Sequence, residues 1–203
     1  GGAVARDLVQ FGLDRALAVD GPARGGVNPH SIVVQRPQGR PEQLMLLLHG
    51  MGGRPEGMLP LARRLASAFP EGAVVSIRSP HSSGSSGGYQ WFPVDGVTEE
   101  NRPARVAGAM PAFLAEVCKW QRALDVTPAV TALVGFSQGA IMSLESIVTA
   151  SPPAARVVAI GARFARLPDR APAQTTVHLL HGKEDAVIPY GLTVEAAHRL
   201  RNL

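Results

Sequence analysis

Short apolar runs alternate with stretches of helical periodicity along most of these 203 residues, and this alternation constrains the fold more than any other feature. Strands are predicted at residues 31–36, 44–49, 73–77, 129–134, 155–160 and 175–181, and helices near 58–69, 99–123, 138–150 and 190–202. Such alternation is typical of a mostly parallel sheet with helices on both faces. We therefore predict a single α/β domain over residues 1–203, with its chemistry at the carboxyl ends of the strands.

The first part of the chain precedes this alternating pattern. Residues 5–19 place Leu8, Phe11, Ala16 and Val19 on one face of a predicted helix. Residues 20–29 (DGPARGGVNP) are rich in glycine and proline and predict a linker or turn.

Composition excludes several classes of protein. Apolar residues make up 45% and charged residues 18% of the chain, a balance typical of globular domains. The net charge of +4 comes from scattered arginines, whereas a nucleic-acid surface would cluster them among aromatic residues. We expect no membrane span and no secretory signal. The single cysteine, Cys118, excludes an intrachain disulfide and favours a cytoplasmic location.

The strongest motif is Gly135-Phe136-Ser137-Gln138-Gly139, which follows one predicted strand and precedes a helix. Small residues beside the serine permit a sharp turn that lifts its hydroxyl clear of the backbone. The positive end of the following helix would then face a developing oxyanion. This context predicts that Ser137 is a nucleophile in an α/β-hydrolase fold.

A second motif, His49-Gly50-Met51-Gly52-Gly53, also follows a predicted strand. Its glycines let the backbone curl so that an N–H group can face a reacting carbonyl oxygen. We assign the oxyanion donors to the backbone N–H groups of Met51 and Gln138. His49 is interpreted as a residue that stabilises the loop rather than as a general base.

A third motif, His181-Gly182-Lys183-Glu184-Asp185, ends the strand at 175–181. Asp185 follows the serine by 48 positions, which agrees with the chain order Ser, Asp, His of this fold. We predict that Asp185 is the triad acid, with Glu184 as the competing carboxylate. His178 and His181 are interpreted as structural.

The loop at residues 78–98 is long enough to suggest a functional role. Tyr89, Trp91 and Phe92 could line an acyl pocket, or they could pack the loop onto the core. Its SSGSSGG run has no following Gly-Lys-Ser/Thr, so it is not a phosphate-binding loop. His30, His81 and His198 have no partners at metal-site spacing, so no metal is expected.

Together these motifs resemble the phospholipase/carboxylesterase family of α/β-hydrolases, which includes acyl-protein thioesterases and bacterial cytoplasmic esterases. The resemblance runs from about residue 29 to residue 203 through LLLHGMGG, GYQWFPVDGVTEENRPARV, LVGFSQGAIMSLE and HLLHGKEDAVIP. It implies that Ser137 and Asp185 are triad members, Met51 and Gln138 oxyanion donors, and Trp91 a pocket residue. It implies a small-molecule ester substrate and no cofactor, and it leaves both a monomer and a homodimer open.

The departure from the family concerns the third triad member. The family pattern places a Gly-His pair and a final helix after a further strand, beyond the point that matches Leu203. The segment at residues 1–19 resembles that last part, with Gly2 where the histidine should be. We hypothesise a circular permutation in which residues 1–19 supply the final helix; the alternative is an N-terminal extension that only looks similar.

His198, the only histidine after Asp185, is predicted to lie on a solvent-facing helix. The sequence as it stands therefore predicts a serine carboxylesterase for short- to medium-chain esters with weak activity or none. Two alternatives remain open: a thioesterase or lysophospholipase, and a non-catalytic protein that binds an acyl ligand or a partner.

Overall fold

The computed structural model describes residue 28 and residues 30–84, 87–172 and 174–203. Its strands are β1 (Ile32–Gln35), β2 (Gln43–Leu48), β3 (Gly72–Ile77), β4 (His81–Ser82), β5 (Tyr89–Gln90), β6 (Thr131–Phe136), β7 (Arg156–Ile160) and β8 (Thr176–Leu180). Its α-helices are α1 (Leu59–Ala68), α2 (Arg102–Ala123), α3 (Gln138–Ser146) and α4 (Tyr190–Arg201).

Six of these strands form one sheet in the order β1-β3-β2-β6-β7-β8. The pairs β2–β3, β2–β6, β6–β7 and β7–β8 are parallel, and only β1 runs antiparallel to its neighbour β3. Parallel neighbours carry their carboxyl ends to one edge of the sheet. The predicted mostly parallel α/β architecture is confirmed.

The central strand β2 shows why the sheet carries helices on both faces. Leu44, Leu46 and Leu48 belong to a core shared with α2, α3 and α4, whereas Met45 and Leu47 belong to a second core shared with α1. Side chains alternate between faces along a strand, so this apolar run must be covered on both sides. Burying each leucine contributes about 1.5–3 kcal/mol to stability.

Two elements differ from their predicted extents. The helix predicted near 138–150 ends at Ser146, where the side-chain hydroxyls of Ser146 and Thr149 donate to the carbonyls of Ser143 and Ser146. Such side-chain hydrogen bonds compete with the helical pattern. The loop at 78–98, predicted without regular structure, contains the short antiparallel pair of β4 and β5.

The helix predicted at residues 5–19 and all but residue 28 of the linker predicted at 20–29 lie outside the described residues. The permutation hypothesis and the single domain over 1–203 therefore stay predictions. Among the described residues, no helix combines the length and apolar character needed to cross a bilayer.

Candidate active site

Ser137 occupies the sharp bend between β6 and α3. Its backbone has φ 49° and ψ −116°, a left-handed conformation that costs a non-glycine residue about 1–3 kcal/mol. The bend is held because the Ser137 N–H donates to the carbonyl of Ile160 on β7, at 2.9 Å. The side chain is only partly buried, so the hydroxyl stands at the carboxyl edge of the sheet.

The two glycines of the motif are required by close contacts. A Cβ atom at Gly135 would lie 2.5 Å from the Cα of Ala140, and one at Gly139 would lie 2.3 Å from the carbonyl oxygen of Leu48. Neither distance is tolerable, because real Cβ atoms do not approach backbone atoms this closely. Glycine therefore allows α3 to turn back directly over the ends of β6 and β2.

The glycine-rich loop after β2 lies against the serine. A Cβ atom built on Gly50 would be 3.2 Å from the Cβ of Ser137. The Gly53 N–H donates to the Gly50 carbonyl at 3.1 Å, which curls the loop. Within the described part of the chain, no backbone acceptor pairs with the N–H groups of Met51 or Gln138. The N–H groups of both predicted oxyanion donors are therefore without a backbone acceptor in the described structure.

The side chain of Gln138 ties the aromatic loop to the bend. Its Oε1 accepts from the N–H of Trp91 at 2.7 Å, and its Nε2 donates to the carbonyl of Phe92 at 2.8 Å. The residue is almost fully buried, so both hydrogen bonds are shielded from water. The sequence predicted only a backbone role for Gln138, because these side-chain contacts join segments far apart in the chain.

Trp91 is buried, with 2% of its surface exposed. Its indole N–H donates to the carbonyl of His49 at 2.9 Å, and its ring packs edge-on against Phe113 at 5.3 Å. Phe92 is buried to the same degree. These contacts fix the aromatic loop on the core, and the pocket role of Trp91 stays a prediction.

His49 has no nitrogen free for proton transfer. Its Nε2 accepts from the N–H of Ser79 at 3.2 Å, which leaves Nδ1 as the donor to the carbonyl of Gly50 at 2.7 Å. Burial lowers the pKa of His49 below its ordinary value of 6.5, so the ring is neutral near pH 7. This geometry agrees with its interpretation as a loop-stabilising residue.

Asp185 lies on the same edge of the sheet as Ser137. A Cβ atom on Gly161 would be 3.5 Å from its Oδ2, and Gly161 directly follows Ile160, the residue bonded to the serine backbone. Oδ1 accepts from the N–H groups of Ile188 and Val187 at 2.9 and 2.8 Å. These two hydrogen bonds lower the pKa of Asp185, and the neighbouring His181 lowers it further by a smaller amount.

Glu184, the alternative acid, is exposed.

His181 supports this carboxylate from a fully buried position. Its Nε2 lies 3.2 Å from Oδ2 of Asp185 and 2.9 Å from the carbonyl of Ile188. Its Nδ1 is hydrogen-bonded to the hydroxyl of Thr193, which itself donates to the carbonyl of Ala162. The ring therefore links the loop that carries Asp185, through Nε2, to α4, through Nδ1.

No imidazole completes the arrangement in the described residues, which include all six histidines of the chain. None of them forms a hydrogen bond with the hydroxyl of Ser137, and His198 is exposed on α4 as predicted. The described residues therefore bring together the hydroxyl predicted as nucleophile, two backbone N–H groups without a backbone acceptor and the carboxylate predicted as the triad acid, with no histidine hydrogen-bonded to the serine.

Phe136 is a further residue of the site that sequence analysis did not single out. Its side chain is 48% exposed although it ends a buried strand. A Cβ atom added to Gly50 would lie 3.2 Å from its ring, and one added to Gly161 would lie 3.6 Å from it. The exposed aromatic ring therefore lies between the glycine-rich loop and the segment that contacts Asp185.

A cavity of about 500 Å³ lies elsewhere, between α2 and α3. It is lined by Val106, Ala107, Met110, Pro111, Leu114, Glu145, Val148 and Thr149. None of the predicted site residues lines it. This cavity is therefore separate from the predicted site at Ser137.

Gly139→Ala tests the close approach of α3 to β2. We expect a loss of about 1–3 kcal/mol in the free energy of unfolding, because the added methyl group collides with the Leu48 carbonyl. Urea denaturation measures the change. Gly108→Ala is the matched control: it lies exposed within α2 with open space at its Cβ, so alanine should stabilise the protein slightly. Equal effects of the two substitutions would contradict the steric explanation.

Asp185→Asn tests the charge of the acid, because an asparagine Oδ1 can still accept from Val187 and Ile188. The folded pKa of Asp185 lies below its unfolded value of 3.8. The ionised form therefore stabilises the fold above pH 3.8, and this contribution disappears as pH falls through the folded pKa. Melting temperatures between pH 7 and pH 3 should show the wild-type advantage over Asp185→Asn shrinking at the acidic end. An advantage that grows on acidification would contradict the assignment.

Comparisons with known proteins agree with this geometry. The family model described as Phospholipase/Carboxylesterase matches residues 29–203. The chain is 46% identical to Esterase YpfH of Escherichia coli (strain K12) over 168 residues, which cover 83% of this chain and 72% of that protein.

Solved structures support the same fold. The crystal structure of esterase PE8 has a TM-score of 0.74 at 27% identity, covering 84% of this chain and 82% of that one. The Bacillus cereus carboxylesterase has a TM-score of 0.70 at 19% identity, covering 85% and 79%, and this similarity supports the fold alone. From the matched family model, the close bacterial relative and the shared architecture, we conclude that this chain belongs to the phospholipase/carboxylesterase family and has the α/β-hydrolase fold.

Proposed function

We propose that this carboxylic ester hydrolase works by forming an acyl-enzyme on Ser137. The observation that carries the proposal is the strained backbone of Ser137, which holds the hydroxyl beside the oxyanion loop at the carboxyl edge of the sheet. A residue kept in such a conformation by its surroundings is typical of a functional position. The substrate is a small carboxylic ester of short to medium chain length.

The free N–H groups of Met51 and Gln138 would hold the oxyanion formed when Ser137 attacks the ester carbonyl. Donors fixed in place before the reaction stabilise this charge without reorganising, and removing one typically costs about 10²–10³ in kcat. The Gln138 side chain supports its own N–H by anchoring the aromatic loop. Water then releases the acyl group.

The role proposed for Asp185 is to orient a histidine and to stabilise its charged form. Its low pKa keeps the carboxylate ionised near pH 7. A serine hydroxyl is a poor nucleophile without a base. None of the six histidines, all of which the structure describes, is hydrogen-bonded to Ser137. We therefore expect these 203 residues, as they stand, to hydrolyse esters slowly or not at all.

Two further features belong to the proposal. The single cysteine, Cys118, is free, which supports a cytoplasmic location. A thioesterase or lysophospholipase activity would use the same nucleophile, and the exposed ring of Phe136 is the apolar surface that an acylated substrate could contact.

Labelling with a fluorophosphonate probe tests the activation of Ser137. Slow but site-specific labelling is expected, because the oxyanion donors are present while the base is missing. Mass spectrometry should locate the adduct at Ser137, and Ser137→Ala should abolish it, with Ser143→Ala, inside the helix that follows, as the control. Labelling that is identical in wild type and Ser137→Ala would overturn the nucleophile assignment.

The substitution Gly2→His tests the missing base together with the permutation hypothesis. If residues 1–19 supply the final segment, the new imidazole should raise the hydrolysis rate of p-nitrophenyl butyrate at least tenfold. Spectrophotometric assays of wild type, Gly2→His and Gly2→His with Ser137→Ala measure this gain and its dependence on the serine. An unchanged rate would show that either the alignment of Gly2 with the base or the completeness of the rest of the site is wrong. Rapid hydrolysis by the wild type, abolished by Ser137→Ala, would contradict the expectation of weak activity.

A further inference from the structure

Two guanidinium groups share one tyrosine ring near the oxyanion loop. The Cζ of Arg78 lies 4.7 Å from the ring centroid of Tyr89, and that of Arg54 lies 5.7 Å from it. Nη1 of Arg78 also donates to the Tyr89 hydroxyl at 3.5 Å. The two positive charges are thus no more than about 10 Å apart, and the aromatic ring attracts both.

No carboxylate of the described residues lies within ion-pair distance of either guanidinium. Neither arginine forms an ion pair there, whereas Arg102 and Arg163 both bind Glu99. The Nε of Arg78 is buried without a hydrogen-bond partner, and Arg54 is exposed to solvent. Two like charges held together without a counter-ion form a site that favours an anion.

Glu56 is the nearest acidic residue to Arg54 in the sequence, two positions away. It acts electrostatically on His49 but makes no ion pair with Arg54 within the described structure. Among the described residues, no carboxylate therefore lies within ion-pair distance of the Arg54 guanidinium.

The arginine pair lies close to the catalytic edge. The Gly52 N–H donates to the Tyr89 carbonyl and the Tyr89 N–H donates to the Gly53 carbonyl, both at 2.9 Å. Gly52 is two residues after Gly50, on which a Cβ atom would lie 3.2 Å from the Cβ of Ser137. Gly52 and Tyr89 are separated by about one inter-strand distance, and Gly50 is two Cα–Cα steps from Gly52. The backbone of Tyr89 therefore lies within about 13 Å of Gly50. Long arginine side chains can span much of that distance.

We propose that Arg54 and Arg78 bind an anionic group at the far end of the acyl chain of the substrate, so that the preferred esters carry a terminal carboxylate or phosphonate. This inference rests on the proposed function of Ser137. The guanidinium fork binds such oxyanions through two parallel hydrogen bonds, and stacking on Tyr89 fixes its plane. The substrate class is then the half-esters of dicarboxylic acids and their phosphonate analogues.

Calorimetric titration of Ser137→Ala tests the proposal without turnover. The ligands are monoethyl succinate, adipate and suberate, each compared with the neutral ethyl butanoate, hexanoate or octanoate of equal acyl length. Ethyl 4-phosphonobutanoate distinguishes a phosphonate site from a carboxylate site. At least one anionic ester should bind about tenfold more tightly than its neutral counterpart, and added NaCl should reduce this preference.

Adding Arg54→Gln or Arg78→Gln to the Ser137→Ala protein should reduce the charge preference to about threefold or less, whereas Arg54→Lys should retain part of it. Arg64→Gln, an exposed arginine on α1, is the matched control and should leave the preference unchanged. If Arg78→Gln lowers the melting temperature, the Arg54→Gln variant still tests the charge preference, because the Arg54 side chain is exposed. Equal affinity for charged and neutral esters, or a preference that survives both substitutions, would overturn the proposal.

The outcome is separable from that of the proposed function, because binding is measured on a protein that lacks the nucleophile. Arginine-dependent binding of anionic esters together with an unreactive Ser137 would overturn the hydrolytic mechanism alone. A reactive Ser137 with no charge preference would overturn the anion site alone.

Discussion

The arrangement of this site depends on a backbone bend that would be unfavourable anywhere else. Ser137 holds a positive φ because its N–H is bonded to Ile160 and because Gly135 and Gly139 let the chain pass where no Cβ fits. The strain of the bend is balanced by the buried strands and helix on either side of it. The stability of the sheet is therefore what fixes the hydroxyl in space.

The parallel sheet explains why distant segments meet at this bend. The strands β2, β6, β7 and β8 end at one edge, and they deliver the glycine loop, the serine, Gly161 and the acid loop respectively. Each loop is then fixed by its own contacts, such as Gln138 with the aromatic loop and His181 with Asp185. The sheet supplies proximity and the local hydrogen bonds supply orientation.

The sequence was sufficient to predict the sheet, its strands and the order of the motifs, because apolar periodicity and glycine spacing report directly on local structure. It predicted β2 and β6 to within two residues at each end. It could not predict the buried amide contacts of Gln138, the exposed ring of Phe136 or the shared ring of Arg54 and Arg78. These depend on segments far apart in the chain, and no local pattern encodes them.

The double use of Gln138 has a consequence for how this site can evolve. Its backbone N–H is the oxyanion donor proposed for this site, while its side chain holds the peptide groups of Trp91 and Phe92. A change that reshapes the aromatic loop would therefore also displace this N–H group. Under the proposed function, we expect substitutions that alter substrate preference to arise at positions that do not contact Gln138.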